Sequence, residues 1–432
     1  VLDGVVNLTE ANARALDAQF PSPARDRFLI PRAAGGPYAE SAYFAGNSLG
    51  LQSTNVRPDL DVQLHKWADI GVNGHFTEPS PWVDFPDRMS ESMARVVGAQ
   101  PDEVFVMNGL TVNLHLLLVS FYRPSGTRTK IVIEDHAFPS DSYAARSHVE
   151  MHGLDPDVDV IRLTSRPGSD VLDEDDIVAT LRERGDEIAT VLLSGVNYLT
   201  GEAFDIPRIT KVGHEIGATV GWDLAHAAGN IELHLHDDDV DFAAWCTYKY
   251  LNGGPGSVAA AFIHQRHLAD QELPRLEGWF GHVAETQFLM RKKIQSPTTA
   301  RAWSMSTPHV FALSPVKSAL TFFDEIGMPA LRTRSLELSD YLLSALAPMA
   351  ESGQVEVVTP RDHARRGTQI SVRVKVDPVA LTEDLQTRWG VVPDERKPDI
   401  LRFAPVALYC TFHDCWRAAD ALARELTGRP LG

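Results

Sequence analysis

Seven short apolar runs, at 104–107, 130–133, 158–163, 190–194, 218–222, 240–246 and 257–263, punctuate the middle of the chain, with helical segments between several of them. Strands that alternate with helices argue for a parallel arrangement, because a parallel neighbour is reached only through a crossover long enough to hold a helix. The order therefore predicts an α/β chain with a mostly parallel, seven-stranded sheet covered on both faces. Ligands of such sheets collect outside the carboxyl ends of the strands. Five polar or glycine-bearing pieces fall at those ends: Asn108–Thr111, His136–Asp141, Ser194–Tyr198, Asp223–His226 and Tyr248–Lys249. Their co-location says more than any one of them.

A length of 432 residues exceeds what one hydrophobic core usually serves, so a large domain and a smaller one are expected. We place an N-terminal arm and part of the small domain at 1–60, the large α/β domain at 61–310, and a small α+β domain at 311–432. Residues 8–20 read as a helical lead-in. A helix is expected over 56–70, with Leu60, Leu64 and Trp67 at helical spacing. Another is expected from Trp82 to Val97, with Pro86 in its first turns and an end at Gly98. Helices are also expected near 112–122, 173–184 and 206–216. Beyond a loop-rich stretch at 274–308, helices at 312–326 and 330–348, strands at 355–358, 369–375 and 400–404, and a last helix near 412–426 make up the smaller unit. Gly46 and Gly50 flank Asn-Ser-Leu and allow close backbone approach to a neighbour.

Composition excludes several classes. Apolar residues make up 44% and charged ones 23%, an ordinary globular balance. The net charge of −18 disfavours nucleic acid, which requires clustered lysine and arginine. Cys246, Cys410 and Cys415 are too few for a disulfide framework and form no CxxC pair, so a reducing, cytoplasmic setting is expected. No apolar stretch approaches a membrane span, and the first residues lack the basic region of a signal peptide. Asn7-Leu8-Thr9 matches a glycosylation sequon of a kind common by chance. His234-Leu-His236-Asp237-Asp238-Asp239 lacks a recognised ligand geometry and reads as a solvated turn, so no metal is expected.

Chemistry concentrates between Gly221 and Gly256. Asp223 in Gly-Trp-Asp-Leu-Ala-His and Lys249 in Thr-Tyr-Lys-Tyr-Leu-Asn-Gly-Gly-Pro-Gly each follow an apolar run. Either alone is more often a surface group. A lysine and a carboxylate at neighbouring strand ends suit pyridoxal phosphate (PLP), the lysine forming a Schiff base and the acid pairing with the ring nitrogen. The other requirements have candidates too. Leu110 and Thr111 open a helix, where free N–H groups bind phosphate, although GxxxxGK[ST] is absent. Phe138 is placed to stack on the ring, and Arg402 to receive a substrate carboxylate as a fork, the competing reading being a surface arginine at a strand end.

With these residues in place, the chain resembles the kynureninases, PLP enzymes of fold type I in the class V aminotransferase group, from about Tyr43 to the last helix. The carriers are Phe44–Gln52, Asn108–His115, Phe138–Asp141, Gly221–His226, Tyr248–Asn252, Gly278–His282 and Arg402–Pro405. The resemblance implies hydrolysis of L-kynurenine, or a ring-substituted relative such as 3-hydroxykynurenine, to an anthranilate and L-alanine. It implies Lys249 as the Schiff-base lysine, Asp223 as the ring-nitrogen partner and Asp141 as a second carboxylate near the ring. Leu110, Thr111 and Tyr248 would reach the phosphate, His226 and Ser194 would line the cofactor, and Arg402 would hold the α-carboxylate. Trp279 and Thr307 would come from the second subunit of a homodimer whose site lies at the interface. Ser48, His75 and Thr307 would lie near the substrate ring. Asparagine opposite the histidine is the pattern of forms favouring the 3-hydroxylated substrate, so His75 with Thr307 is a mixed pair. Tyr248 is the expected proton donor to the β-carbon. The rival is a cysteine desulfurase or aminotransferase of the same fold, but no cysteine sits on a suitable loop. A cofactor-binding scaffold without activity is disfavoured by the intact Lys249, Asp223, Tyr248 and Arg402, and a dinucleotide enzyme by the lack of GxGxxG.

Overall fold

A computed structural model describes residues 8–431 of the chain. Asn7 of the sequon, and the first residues read for signal-peptide character, lie outside the described residues. Seven strands form the central sheet: β1 (Val104–Val106), β2 (Lys130–Glu134), β3 (Val160–Leu163), β4 (Ile188–Ser194), β5 (Thr219–Asp223), β6 (Phe242–Trp245) and β7 (Ala260–Ile263). Their order is β1-β7-β6-β5-β4-β2-β3. Strands β6, β5, β4, β2 and β3 pair in parallel, while β7 runs antiparallel to both neighbours.

Side chains along these strands divide between two cores, as a period of two requires. Phe105, Ile131, Ile133, Leu192, Phe242 and Ala244 pack with Leu114, Leu117, Phe121, Ala145 and Val149 of the helices Leu110–Phe121 and Pro139–Met151. Val104, Val106, Val132, Val191, Trp222 and Trp245 face the other way, onto helices Asp87–Val97, Glu174–Glu183, Ile206–Glu215 and Val310–Ile326. Both faces are therefore dry, which is why the strands read as unbroken apolar runs.

A second sheet of four antiparallel strands, Val355–Val357, Ile370–Val374, Asp394–Arg396 and Ile400–Phe403, lies beyond the long helix Met328–Glu351. The helix Phe412–Thr427, opened by a Thr411/Asp414 capping box, packs against Met328–Glu351 and the N-terminal helix Glu10–Gln19. Residues 42–43 pair in parallel with 391–392, so the N-terminal segment joins the second sheet's side of the molecule. Among the described residues, no helix is long and apolar enough to cross a membrane.

Two sequence expectations need correction, and two elements stand beyond them. The helix Val56–Ile70 forms, but its apolar stripe faces outward: Leu64 and Trp67 are exposed while Gln63 and Lys66 are buried. Polar satisfaction overrides periodicity here. Gln63 accepts from Trp82 Nε1 at 2.8 Å, and Lys66 Nζ donates to the carbonyls of Thr77, Pro79 and Ser80. The next helix begins at Asp87 with Pro86 as its N-cap, so Trp82 and Phe85 are buried from a turn instead. The helix Pro378–Trp389 and the strand Asp394–Arg396 were not expected at all.

Gly221 is required by packing. A Cβ there would sit 2.1 Å from ring atoms of Phe242, its cross-strand partner. That ring is fully buried and stacked on Phe121 at 4.8 Å, so it has nowhere to move. Gly221→Ala is expected to lower the unfolding free energy by about 1–3 kcal/mol, read as a fall in the denaturant midpoint. An unchanged midpoint would mean that the Phe242 ring repacks freely.

Candidate active site

The ends of β2, β4, β5 and β6 and the start of the helix Leu110–Phe121 converge on one cavity of about 290 Å³. Leu110, Thr111, Phe138, Asp141, Ser194, Asp223, His226, Tyr248 and Lys249 all line it. Lys249 Nζ lies 2.9 Å from His226 Nε2 and 5.6 Å from the Phe138 ring centroid. Burial, then the charge of Lys249, holds His226 well below the usual histidine range. An ammonium offers only donors, which assigns Nε2 as the acceptor and Nδ1 as the protonated nitrogen. His226 Nδ1 is buried and has no partner.

Two aspartates face this pair. Burial, then the neighbouring Asp223, pushes the Asp141 carboxyl well above the ordinary carboxylate range. Burial also raises Asp223, opposed by hydrogen bonds from Asp141 and from the Ala225 N–H at 2.7 Å. Asp141 Oδ1 is left buried and unpartnered. A third carboxylate, Glu134, was missed in the sequence because it reads as the last residue of an apolar strand. It accepts from Ser194 N and Oγ, both at 2.6 Å, and from Asn197 Nδ2 at 2.7 Å. Ser194 therefore meets the cavity already tied to Glu134.

At the other end of the cavity, Gly109 is the N-cap of the helix Leu110–Phe121 and gives it no side-chain cap. The first-turn N–H groups remain free to meet an anion. A Cβ on Gly109 would touch nothing within 4 Å, so the approach is open. Asn108 turns the chain at a φ of 63°, its side chain bonded to Asn113 at 2.9 Å. The residues fit a pyridoxal phosphate: an amine, a carboxylate pair with one oxygen unspent, an aromatic face, and free helix N–H groups beside the Thr111 hydroxyl.

Tyr248 sits in the wall beside Lys249, and burial keeps its hydroxyl protonated far into the alkaline range. Gly50 braces the same turn. Its N–H donates to the Tyr248 carbonyl at 2.7 Å, and a Cβ there would lie 2.4 Å from the Lys249 carbonyl. That is the close approach its sequence position foretold.

Arg402 is not a surface arginine. It is 0% exposed, with Nη1 donating to the Tyr198 carbonyl at 2.6 Å, Nη2 paired with Asp394, and Nε unpartnered. Ser48, Trp279 and Thr307 are exposed and His75 is half-buried against Trp82, and none of the four lines this cavity. All three cysteines are buried and unpaired. His236 lies with Glu103 and His264 in one compact cluster. Its groups already satisfy one another: His236 Nδ1 meets Glu103 at 2.9 Å, and His264 receives the Arg266 N–H at 3.2 Å and contacts the His236 carbonyl at 3.2 Å. The two imidazoles also stack within 6° of parallel, so one ion cannot lie in both ring planes.

A family model described as the kynureninase C-terminal domain matches residues 331–422. A protein of Salinispora tropica named kynureninase is 54% identical over 415 residues, covering 96% of each chain. One of Koribacter versatilis with the same name is 46% identical, covering 97% of this chain and 98% of its own. Among solved structures, the cysteine desulfurase CsdA of Escherichia coli superposes with a TM-score of 0.73 at 17% identity, over 95% of this chain and 98% of that one. The last similarity concerns the fold alone.

Glu134→Ala would strip a partner from the Ser194 N–H and the Asn197 amide. Unpaired buried donors cost about 1–3 kcal/mol each, so the variant is expected to lose roughly 2 kcal/mol or more of unfolding free energy in a denaturant titration. A wild-type midpoint would show that the three donors find other acceptors.

Proposed function

The chain belongs to the kynureninase family, and from that membership we propose how its own residues divide the hydrolysis of L-kynurenine to an anthranilate and L-alanine. The reaction uses pyridoxal phosphate. When bound, that group supplies an aldehyde carbon and a protonated ring able to take up negative charge from substrate carbon. The observation that carries the assignment is the Lys249–His226 contact facing the Asp141–Asp223 pair within one cavity.

Lys249 would hold the aldehyde through its amine and, when free, is the base placed to take the substrate α-proton. Asp223 would keep the ring nitrogen protonated, and Asp141 would support it as a neutral donor. Leu110 and Thr111 would hold the phosphate through helix N–H groups and a hydroxyl, with Phe138 as the aromatic face for the ring. Arg402 holds the α-carboxylate. Tyr248 retains its proton at neutral pH. Water adds its hydroxyl to the γ-carbonyl carbon, and the Cβ–Cγ bond breaks with its electron pair passing to the β-carbon. Tyr248 gives the β-carbon its proton, and the γ-carbon leaves as the carboxylate of the anthranilate.

A homodimer is supported by the exposed apolar side chains around the ring-site candidates. Trp279, Phe288 and Phe76 are 43%, 51% and 61% exposed yet touch one another, at 5.4 and 5.7 Å between rings. A second subunit covering them would bring Trp279 and Thr307 to its neighbour's cavity, with Ser48 and His75 near the substrate ring. Three free, buried cysteines favour a reducing cytoplasm, where the reaction would serve tryptophan breakdown. The same burial speaks against a desulfurase, whose nucleophilic cysteine must reach substrate. The division into 1–60, 61–310 and 311–432 remains the natural one for the two sheets.

Two measurements test this reading. Tyr248→Phe is expected to slow kcat by about 10²-fold or more, the usual worth of a positioned acid, with the cofactor's imine absorbance intact. Full turnover would remove Tyr248 from the mechanism. For the ring, Thr307→Asn is expected to shift the kcat/KM ratio towards 3-hydroxykynurenine by about tenfold, roughly one hydrogen bond. An unaltered ratio would take Thr307 out of ring selection.

A further inference from the structure

Asp394 opens the short strand Asp394–Arg396, which pairs antiparallel with Ile400–Phe403 and sets Asp394 directly opposite Arg402. Arg396, two residues on, shares the face of Asp394. The three side chains meet there. Arg396 Nη1 donates to Asp394 Oδ1 at 2.5 Å, and Arg402 Nη2 pairs with Asp394 Oδ2. One carboxylate thus serves two guanidinium groups, one oxygen each, and a single positive charge is left over.

None of the three lines the cavity itself, but Arg402 meets its wall through Tyr198, a lining residue whose carbonyl it bonds at 2.6 Å. Arg402 and Arg396 both lie close enough to His226 to disfavour its protonation, alongside Lys249. Arg402 is fully enclosed, and its Nε has no acceptor. A buried guanidinium with one edge fixed by Asp394 and by the Tyr198 carbonyl presents its remaining donors in one orientation only. Arg396 is a third exposed and so borders solvent on the same side.

We propose that Asp394 is the positioning residue of the substrate-carboxylate subsite: by splitting its charge between Arg396 and Arg402 it fixes the orientation of Arg402 and leaves one net positive charge for one carboxylate. This rests on the reading of Arg402 as the carboxylate receptor. Asp394 does not touch the reacting atoms, so its removal weakens binding of the carboxylate and spares the chemical step. A loss that raises KM while kcat holds is the signature of binding shared by ground and transition states.

The test compares Asp394→Asn, Arg396→Gln and Arg402→Gln holoenzymes with two ligands. One is L-kynurenine; the other is its analogue with hydrogen in place of the α-carboxylate, whose binding is followed by the cofactor's absorbance. Asp394→Asn is expected to raise KM for kynurenine roughly tenfold or more, with kcat falling far less and affinity for the decarboxylated analogue unmoved. Arg396→Gln, at a more open position, is expected to raise KM a few-fold with the same selectivity, and it decides the matter if Asp394→Asn fails to fold. Equal weakening of both ligands would overturn the proposal, as would a wild-type KM in Asp394→Asn alongside a raised KM in Arg402→Gln. A wild-type KM in Arg402→Gln would instead remove the receptor role of Arg402 itself.

Discussion

Three carboxyl groups, Glu134, Asp141 and Asp223, are buried together where β2 and β5 end, with a single ammonium, Lys249, facing them. Taking ionised groups out of water costs several kcal/mol apiece unless each is paired. The chain solves this unevenly. Glu134 is surrounded by three donors, burial and Asp223 push the Asp141 carboxyl well above the ordinary range, and the rise that burial imposes on Asp223 is opposed by hydrogen bonds from Asp141 and the Ala225 N–H. One amine facing three buried carboxyl groups suits the cavity to a further cationic partner. Neutral His226 completes the balance by accepting from Lys249 without adding charge of its own.

The Asp394–Arg396–Arg402 cluster carries the opposite sign. Two arginines share Asp394, and the surplus is positive. The two clusters belong to different sheets, yet the loop after β4 joins them. Ser194 and Asn197 donate to Glu134, while the Tyr198 carbonyl accepts from Arg402 and from Gln369. Ser371 of the second sheet bonds the Leu199 carbonyl at 2.6 Å. The six residues 194–199 thus carry polar contacts from one sheet to the other.

Much of this was legible in the sequence because the large sheet is buried on both faces. All seven apolar runs became its strands, and each of the five polar pieces at their ends contributes to one cavity, though His136 does not line it. Legibility failed where burial and polarity part company. Leu64 and Trp67 share a helical stripe that meets no core, since Gln63 and Lys66 have stronger reasons to face inward. Glu134 was hidden at the end of Lys-Ile-Val-Ile, where nothing in the pattern marks a carboxylate as functional. Asp394, in a three-residue strand between a glycine and a Lys-Pro pair, depends on cross-strand register that no local period reveals. Arg402 was noticed for its chemistry, but its complete burial follows from Asp394 and is invisible without it.

The segment around Phe44 and Gly50 has a consequence for how the molecule is made. Its backbone is sewn to both far regions of the chain: Phe44 exchanges hydrogen bonds with Val392 and Ala404, and Gly50 bonds the Tyr248 carbonyl. A ribosome delivers this segment early, yet its partners emerge some two hundred and some three hundred and fifty residues later. Contacts that distant form late, after the loop-closure cost has been met. The brace behind Lys249 is therefore among the last parts of the fold to settle, and a nascent chain cannot finish this wall of the cavity until the second sheet has been synthesised.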